Sequence, residues 1–258
     1  MLAHQRQSSI LAEVTRQGGA RVADLVRSLG VSDMTIRRDI EALAERGLVA
    51  KVHGGVVAVG RAADEPRYST KSTQQQPEKL AIARAAAALA QPGQAIGISA
   101  GTTTATLAAV LLTIPDLTVV TNSIPVEDAF YRGGRADQTV VLIGGTRTVS
   151  DALVGPVADA TLAGLRVDRT FLGVHGLDAQ GLTTPNLAEA ATDRALMACA
   201  AATTVIADHT KWGVVGLARI ATLDDVDTLL TDDALPADAR RHLTATTLVT
   251  VDTSGATL

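Results

Sequence analysis

The sequence predicts an α/β fold of two unequal units, a small helix-rich unit at the N-terminus and a larger one built from alternating strands and helices. At 258 residues the chain exceeds one typical domain. From residue 78 onward, short apolar runs alternate with helix-forming stretches, which is typical of a mostly parallel sheet covered on both faces. Charge is unevenly placed, because residues 1–60 carry eight Lys or Arg and six Asp or Glu, whereas the remainder carries 15 and 21. We therefore expect a mildly basic unit joined to an acidic one.

The first two helices follow from the spacing of apolar residues. Residues 10, 11 and 14 lie at helical spacing and predict a helix that ends at the two glycines of residues 18–19. Residues 22–29 place apolar side chains at i, i+3, i+4 and i+7, the pattern of a half-buried second helix. Gly30 allows the left-handed turn that ends it.

A third helix is predicted to begin at Ser32, whose hydroxyl can accept a hydrogen bond from a free N–H of the first turn. Asp33 favours the positive end of the helix dipole. Met34 is the first residue of this helix expected to pack, and residues 36, 40 and 43 continue the buried face.

The outward face of the third helix is short, polar and cationic. Thr35, Arg37 and Arg38 point away from the predicted core, and Asp39 is placed to brace an arginine. Arginine can fork onto guanine or grip phosphates, and threonine can touch base edges or a thymine methyl. The alternative is an ordinary surface helix with a charged face.

The segment after this helix favours the DNA-binding interpretation. Residues 48–57 predict a strand, a glycine turn and a second strand, which together form a wing. Lys51 and His53 in that wing would lie near the phosphate backbone. The sequence therefore predicts a winged helix-turn-helix over residues 1–58 that binds double-stranded DNA.

This unit resembles the DeoR family of bacterial transcriptional regulators. The resemblance rests on Arg6, Ile10, the motif of residues 32–40 and the His-Gly-Gly of residues 53–55. Members are mostly repressors of sugar or nucleoside catabolic genes, so the resemblance implies sequence-specific operator binding by a homo-oligomer, a dimer or a tetramer. The residues expected at the DNA are Arg21, Ser32, Asp33, Thr35, Arg37, Arg38, Lys51 and His53.

A linker and a second domain are predicted beyond the wing. Residues 59–77 are polar and non-periodic, which is typical of an interdomain linker. Residues 78–90 are strong helix formers and open a domain predicted to span residues 78–258. Its parallel strands are predicted at residues 94–99, 117–121, 139–143, 169–174, 203–207, 227–231 and 246–251.

Polar residues collect at the predicted carboxyl ends of these strands, where ligands of such sheets bind. Residues 99–104 follow the first strand and open a helix, so their N–H groups and hydroxyls could cradle a phosphate, or could merely start the helix. Lys211 could neutralise a phosphate and Asp208 could accept sugar hydroxyls, or both could belong to a solvated loop. His175 and Asp178 could line the same cleft or be structural. The residues expected at this site are Ser99, Gly101, Thr102, Thr103, Thr104, Thr121, Asn122, Ser123, Gly144, Gly145, His175, Asp208 and Lys211.

The larger unit resembles the effector domain of the same family. The matching pieces are residues 78–79, 101–104, 120–123, 144–145, 181–183 and 208–211. That domain is similar to ribose-5-phosphate isomerase, so the resemblance implies a Rossmann-like fold, a phosphorylated sugar as inducer, and residues 101–104 as its phosphate site. The chain departs from the family at Ser99, where an Asp is often found, so the sugar-hydroxyl contact implied there lacks its carboxylate.

Catalysis is the second class of function that the sequence allows. Isomerisation needs a carboxylate base near the C–H and a donor for the developing enediolate. The acidic motif of ribose-5-phosphate isomerases is replaced by residues 175–178. We therefore expect a regulator rather than an enzyme, the alternative being an isomerase-like enzyme that carries a DNA-binding unit.

Composition excludes further classes. The sequence predicts no cofactor, and it shows no His and Cys cluster with metal-ligand spacing. The single Cys199 is expected to be buried and without a role. Because no apolar stretch reaches eighteen residues and no secretory signal opens the chain, we expect a cytoplasmic protein that associates with the nucleoid and not with a membrane.

Overall fold

The computed structural model describes residues 2–17, 19–46, 48–52, 54–58 and 68–253. The chain forms two compact units, residues 1–61 and residues 62–258. We refer to them as the N-terminal unit and the C-terminal unit. Among the described residues, no helix combines the length and the apolar character needed to cross a membrane.

The N-terminal unit contains three helices and one small antiparallel sheet, as a winged helix-turn-helix requires. Its elements are α1 (Ala3–Gln17), β1 (Gly19–Arg21), α2 (Val22–Leu29), α3 (Asp33–Glu45), β2 (Val49–Val52) and β3 (Gly55–Ala58). The sheet has the order β1-β3-β2. Strand β1 was not predicted, because three residues show no alternation and only pairing with β3 holds them extended.

The core of this unit is aliphatic and draws on all three helices and the wing. Its buried side chains are Ile10, Val14, Val22, Leu25, Ile36, Ile40, Leu43, Val49 and Val56. The prediction that Met34 packs inward is wrong, since its side chain is 80% exposed. Met34 precedes the buried Ile36 by two positions, which is a rotation of about 200° around an α-helix. Its side chain therefore lies on the opposite face.

The C-terminal unit is a three-layer α/β domain, which confirms the predicted fold class. Its helices are α4 (Tyr68–Ser72), α5 (Gln76–Ala87), α6 (Thr102–Leu111), α7 (Ile124–Gly133), α8 (Pro156–Ala163) and α9 (Leu187–Ala198). Its strands are β4 (Ala95–Ile98), β5 (Thr118–Thr121), β6 (Thr139–Leu142), β7 (Thr146–Arg147), β8 (Leu153–Val154), β9 (Arg169–Leu172), β10 (Gly176–Asp178), β11 (Gly181–Thr184), β12 (Thr203–Ile206), β13 (Ala218–Ala221), β14 (Thr228–Asp232) and β15 (Thr247–Val251).

Seven of these strands form the central sheet in the order β15-β14-β12-β9-β4-β5-β6. Every neighbouring pair is parallel, and the seven strands are the seven predicted ones. The chain builds outward from β4 through β5 to β6 and then returns to β9 on the other side of β4. The strand order therefore reverses between β4 and β9, where a crevice opens in doubly wound sheets.

Helices cover both faces of the central sheet. One apolar cluster joins α5, α6 and α7 to the sheet through residues such as Ile82, Leu107 and Phe130. The other joins α8 and α9 to the opposite face through residues such as Leu162 and Leu196. Cys199 is buried in this second cluster, as expected, and burial raises the pKa of its thiol.

The predicted linker requires a correction in its second half. Residues 59–67 lie outside the described residues, but Tyr68–Ser72 form α4, and α5 begins at Gln76 rather than at residue 78. The polar composition of this stretch concealed a helix because α4 buries no residue of its own. Pro77 is compatible with α5 because it lies in the first turn, where its missing N–H has no intrahelical partner to lose.

A second, antiparallel sheet of order β10-β11-β13 was not predicted. Its strands are three or four residues long and mix glycine, threonine and aspartate without alternation. The sheet depends on close backbone approach, since a Cβ at Gly176 would lie 2.0 Å from the carbonyl oxygen of Val214. Such a contact joins segments far apart in sequence and leaves no local pattern.

Candidate DNA-binding surface and ligand cleft

The predicted cap of α3 is present. Ser32 has extended backbone angles, and its Oγ accepts a hydrogen bond from the Thr35 N–H at 3.3 Å. The two hydroxyls of Ser32 and Thr35 lie 2.9 Å apart. The start of α3 is therefore held by its own side chains.

The exposed face of α3 is cationic, as predicted. Arg37 and Arg38 are exposed, and Thr35 is half-buried. Asp33 orients Arg37, since Arg37 Nε donates to Asp33 Oδ1 at 2.5 Å one helical turn away. Arg21 is also exposed and precedes the first residue of α2.

Asp39 braces an arginine, as predicted, and that arginine is Arg6 of α1. The Asp39 side chain is 6% exposed and that of Arg6 is 13% exposed. Arg6 Nε donates to Asp39 Oδ2, Arg6 Nη2 donates to Oδ1 at 3.3 Å, and Gln7 Nε2 donates to Oδ1 at 3.2 Å. This buried pair fixes α1 against the helix that carries the exposed arginines.

The wing contributes one described cation. Lys51 is exposed, and its Nζ lies 2.9 Å from Glu41 Oε1 of α3. The Lys51 ammonium lowers the pKa of the Glu41 carboxyl. His53, also predicted at the DNA, lies outside the described residues.

The C-terminal unit contains a polar cleft at the reversal point of its sheet. The cleft lies at the carboxyl ends of β4, β5, β9 and β12. Six predicted site residues are brought together there, namely Gly101, Thr102, Thr103, Asn122, His175 and Lys211.

The loop between β4 and α6 provides donors to this cleft. Gly101 directly precedes α6, and the first bond of the helix runs from Ala105 N to Gly101 O at 3.1 Å. The N–H groups of the first turn, including those of Thr102 and Thr103, therefore have no intrahelical acceptor. Asn122 Oδ1 accepts from Ala100 N at 2.8 Å and fixes the loop. The helix dipole adds partial positive charge at the same end.

Four predicted site residues do not line the cleft and instead hold its loops in place. Ser99 Oγ accepts from Gly173 N at 2.8 Å and joins the ends of β4 and β9. Thr104 Oγ1 donates to Gly101 O at 2.9 Å, and Thr121 Oγ1 donates to Ile98 O at 2.7 Å. Ser123 Oγ caps α7 by accepting from Val126 N at 3.3 Å. Their side chains are buried, and their hydroxyls form hydrogen bonds within the protein. The structure therefore does not place these four residues in contact with a ligand in the cleft.

The remaining predicted residues also lie away from the cleft lining. Gly144 and Gly145 follow β6, and a Cβ at Gly145 would lie 2.6 Å from the Val154 carbonyl oxygen. Asp208 is 2% exposed and caps the short 3₁₀ turn His209–Lys211 by accepting from Thr210 N at 3.1 Å. It therefore helps to present Lys211. Asp178 lies in the β10–β11 turn and accepts from Gln180 N at 2.8 Å.

Five polar residues that line the cleft were not predicted from the sequence. These are Lys71, Ser150, Thr184, Glu189 and Asp193. The carboxylates of α9 are one turn apart and share a face, a local signal that also fits a solvated helix surface. Glu189 is 8% exposed, and its two oxygens accept from Thr148 Oγ1 at 2.6 Å and from Thr184 Oγ1 at 3.2 Å.

Lysine is concentrated around the cleft. Three of the four lysines in the chain, Lys71, Lys79 and Lys211, belong to this region. Lys71 and Lys211 line the cleft, and the 4% exposed Lys79 donates from Nζ to the Lys71 carbonyl oxygen at 2.6 Å. Burial lowers the pKa of Lys79 to about 8, against the raising effect of Asp208. The cleft lining thus contains a cationic wall, Lys71 and Lys211, together with two α9 carboxylates.

A histidine–aspartate pair lies next to the cleft. His209 Nδ1 is 2.8 Å from Asp232 Oδ1, and the His209 N–H donates to Asp232 Oδ2 at 2.8 Å. The hydrogen bond to Asp232 raises the pKa of His209 against the effect of burial. Burial raises the pKa of Asp232, but the hydrogen bonds from His209 outweigh it, so that pKa is lowered overall.

This pair predicts a pH-dependent stability of the C-terminal unit. Because the folded-state pKa of His209 lies above its ordinary value of 6.5, its stabilisation is complete below that pH and is lost as the pH rises through the raised pKa. We expect the urea midpoint, followed by Trp212 fluorescence, to fall between pH about 6 and about 8. Above this range the lowered pKa of Lys79, about 8, makes the free energy of unfolding rise with pH, which opposes the effect of His209.

His209→Gln should flatten that dependence. His242→Gln is the matched control, because it removes a ring stacked 6.2 Å from Trp212 and leaves the Asp232 pair intact. An unchanged pH dependence in His209→Gln would assign the effect to other groups.

A winged helix-turn-helix with an exposed cationic helix, carried on a chain with an α/β ligand-binding domain, defines the class of DNA-binding transcriptional regulators with a sensor domain. Residues 6–61 match the DeoR-like helix-turn-helix domain, and residues 74–233 match the DeoR C terminal sensor domain. The chain belongs to the DeoR family, which confirms the resemblance inferred from sequence.

Relatives named as transcriptional regulators match this chain over most of both lengths. An uncharacterized HTH-type transcriptional regulator of Escherichia coli, YgbI, is 34% identical over 94% of this chain and 95% of its own. The HTH-type transcriptional regulator GlpR of Haloferax volcanii is 35% identical over 98% of each chain. A lactose phosphotransferase system repressor of Staphylococcus aureus is 32% identical over 89% of this chain and 92% of its own.

The chain is also similar to solved structures over about half of its length. One of D-ribose-5-phosphate isomerase in complex with phospho-erythronic acid aligns with 52% of this chain and 52% of its own, at 17% identity and a TM-score of 0.39.

Proposed function

We propose that this protein represses genes of sugar catabolism, and that a phosphorylated sugar bound in the cleft lowers its affinity for operator DNA. The proposal is carried by two chemically different sets of residues that line the cleft, one cationic and one made of carboxylate, hydroxyl and amide groups. The repressor role is supported by a relative that is named a lactose phosphotransferase system repressor.

The cationic wall suits a phosphate group. The first-turn N–H groups at Thr102 and Thr103 and the ammonium groups of Lys71 and Lys211 reach the same cleft. Backbone donors at a helix N-terminus combined with lysines form a common phosphate site in proteins. We propose that the phosphate of the ligand occupies this wall.

The other polar residues that line the cleft suit a polyol. Asp193, Glu189, Thr184 and Asn122 offer carboxylate, hydroxyl and amide groups to the cleft. Sugar hydroxyls donate to carboxylates and exchange hydrogen bonds with the other groups. A cleft that combines such groups with a phosphate site suits a phosphorylated polyol better than free phosphate, so we infer a ligand that carries hydroxyls as well.

We propose that the cleft binds its ligand without converting it. An isomerase needs a carboxylate able to take a proton from carbon. Both oxygens of Glu189 accept hydroxyl hydrogen bonds within the protein, so this carboxylate is already engaged as an acceptor. We also propose that the protein acts as a homo-oligomer in the cytoplasm, bound to the nucleoid, because paired helix-turn-helix units read two half-sites.

A panel of sugar phosphates tests the proposal, with each phosphorylated compound matched to its unphosphorylated sugar. We expect a phosphorylated member alone to raise the melting temperature and then to weaken operator binding in fluorescence anisotropy. A stabilising sugar phosphate that leaves operator affinity unchanged would contradict the regulatory role. Conversion of the compound during incubation would contradict the binding-only role.

The DNA-binding surface gives a separate prediction. Because Arg37 is exposed on α3, Arg37→Ala should reduce the preference for operator over random DNA about tenfold or more. Lys51→Ala should weaken binding to both DNAs about equally and reduce the salt slope by about one, since a phosphate contact carries no sequence information. Anisotropy titrations at several salt concentrations separate the two effects. Equal losses on both DNAs for both variants would contradict this division.

A further inference from the structure

We propose that Lys79 is a positioning residue that holds α4 and its Lys71 against the sensor cleft, so that docking of α4 and occupancy of the cleft by a phosphate-bearing ligand are coupled. This inference rests on the proposed function of the cleft. It adds a route by which the ligand acts on the chain segment that leads to the N-terminal unit.

Helix α4 has little stability of its own. It is five residues long, buries none of them fully and is too short to persist as an isolated helix. Tyr68 N of α4 donates to Val149 O of the domain at 3.4 Å. Lys71 Nζ donates to Ser150 Oγ, also at 3.4 Å. Both are long hydrogen bonds, so a short hydrogen bond from a charged donor adds to the docking of α4.

Lys79 supplies a short, charged contact to α4. Its ammonium donates at 2.6 Å to the carbonyl oxygen of Lys71, which lies in the last turn of α4. The same carbonyl accepts from Gln74 N at 3.2 Å, and carbonyls at a helix C-terminus carry partial negative charge that a cation stabilises. Lys79 is itself on α5, whose packing against the central sheet is independent of α4.

The charge on Lys79 is sensitive to the cleft. Burial and the neighbouring cations Lys211 and Lys71 oppose protonation of Lys79, whereas Asp208 and Glu78 favour it. A phosphate placed beside Lys71 and Lys211 would offset their repulsion and stabilise the Lys79 ammonium. The hydrogen bond to α4 would then strengthen when the cleft is filled.

The position of α4 in the chain gives this coupling a consequence. Helix α4 is the first described element after residues 59–67, which connect it in sequence to β3 of the N-terminal unit. A ligand that changes how firmly α4 is docked therefore changes where that connection is anchored. Differential docking of one element is the kind of coupling free energy that regulation requires.

Hydrogen–deuterium exchange of the full chain tests the inference, with inorganic phosphate as the probe and sodium chloride of equal ionic strength as the reference. In the wild type we expect phosphate to slow exchange both in residues 100–104 and in α4. In Lys79→Met, α4 should exchange about tenfold faster or more without phosphate, because one charged hydrogen bond is lost. Phosphate should still protect residues 100–104 in this variant but should protect α4 less than in the wild type, because only the direct contact of Lys71 with phosphate remains.

Arg84→Met is the matched control, because it removes an exposed cation from the same helix and should behave as the wild type. If Lys79→Met does not fold, Lys79→Gln serves the same comparison. Equal α4 exchange in Lys79→Met and the wild type would overturn the positioning role. Equal phosphate protection of α4 in both would overturn the coupling. Absence of any protection of residues 100–104 in the wild type would instead count against the proposed phosphate wall and would remove the coupling with it.

Discussion

Asp39→Ala is expected to destabilise the N-terminal unit by about 3 kcal/mol, because it leaves the Arg6 guanidinium largely buried and without its carboxylate. Gln7 loses the same acceptor. A unit of about 60 residues has a free energy of unfolding of roughly 3 to 9 kcal/mol. The loss is therefore a large share of the total, and operator binding should fall with the folded population.

Asp33→Ala is the matched control. It removes a carboxylate from the same helix, but its partner Arg37 is exposed, with side chains 59% and 57% accessible. Exposed pairs contribute about 1 kcal/mol or less. If both variants lowered the unfolding midpoint equally, burial of the Arg6–Asp39 pair would not be the reason for the loss.

The distribution of aromatic residues makes the measurement selective. The only Trp and both Tyr of the chain, Trp212, Tyr68 and Tyr131, belong to the C-terminal unit. Fluorescence therefore follows that unit alone, whereas far-UV circular dichroism follows the helices of both. We expect Asp39→Ala to lose part of its ellipticity early in a thermal or urea scan while its fluorescence transition stays in place.

Lys211→Met is expected to make the protein unresponsive to a sugar phosphate at concentrations that release the wild type, without changing operator affinity in the absence of ligand. Lys211 lines the cleft at the end of a capped turn, so its ammonium is held where the phosphate is proposed to bind. Loss of one charge-assisted hydrogen bond should raise the Kd of the ligand by about tenfold to a hundredfold. Titration of the sugar phosphate against the preformed operator complex measures the effect.

Arg241→Met is the control for Lys211→Met, since it removes an exposed cation from the same unit. The assignment of Lys211 to the phosphate would fail if Lys211→Met released operator at the wild-type ligand concentration. Weaker operator binding by Lys211→Met without ligand would show instead that the residue supports the DNA-bound state.

The parallel sheet was predictable because its strands are buried on both faces. A run such as Thr203–Ile206 is apolar or small throughout and needs no partner to be recognised, and all seven strands were predicted to within two residues at each end. The strands Gly176–Asp178 and Gly181–Thr184 have no such run. They are extended because they pair with each other and because β13 pairs with β11.

The candidate sites were predictable where their residues are contiguous. The cap at Ser32 and the loop before α6 are local features, and sequence spacing identifies both. The partner of Asp39 is 33 residues away, and Lys71 and Glu189 reach the cleft from helices far apart in the chain. Helix α4 buries no residue, so its sequence shows no apolar stripe and its polar composition is typical of a linker. The lysine that contacts it, Lys79, lies on the next helix.

The division of cations between the two units has a chemical consequence. The exposed cations of α3 are arginines, whereas the cleft is served by lysines, and Lys51 is the one lysine of residues 1–61. A reagent that acylates amines would therefore react in few places and would leave the guanidinium groups of α3 intact. Mild acylation, with sugar phosphate present or absent, should separate the two activities. The ligand would protect Lys71 and Lys211 from the reagent. The unprotected protein would become insensitive to the ligand and, with Lys51 acylated, would bind DNA more weakly, but it would keep its preference for operator over random DNA.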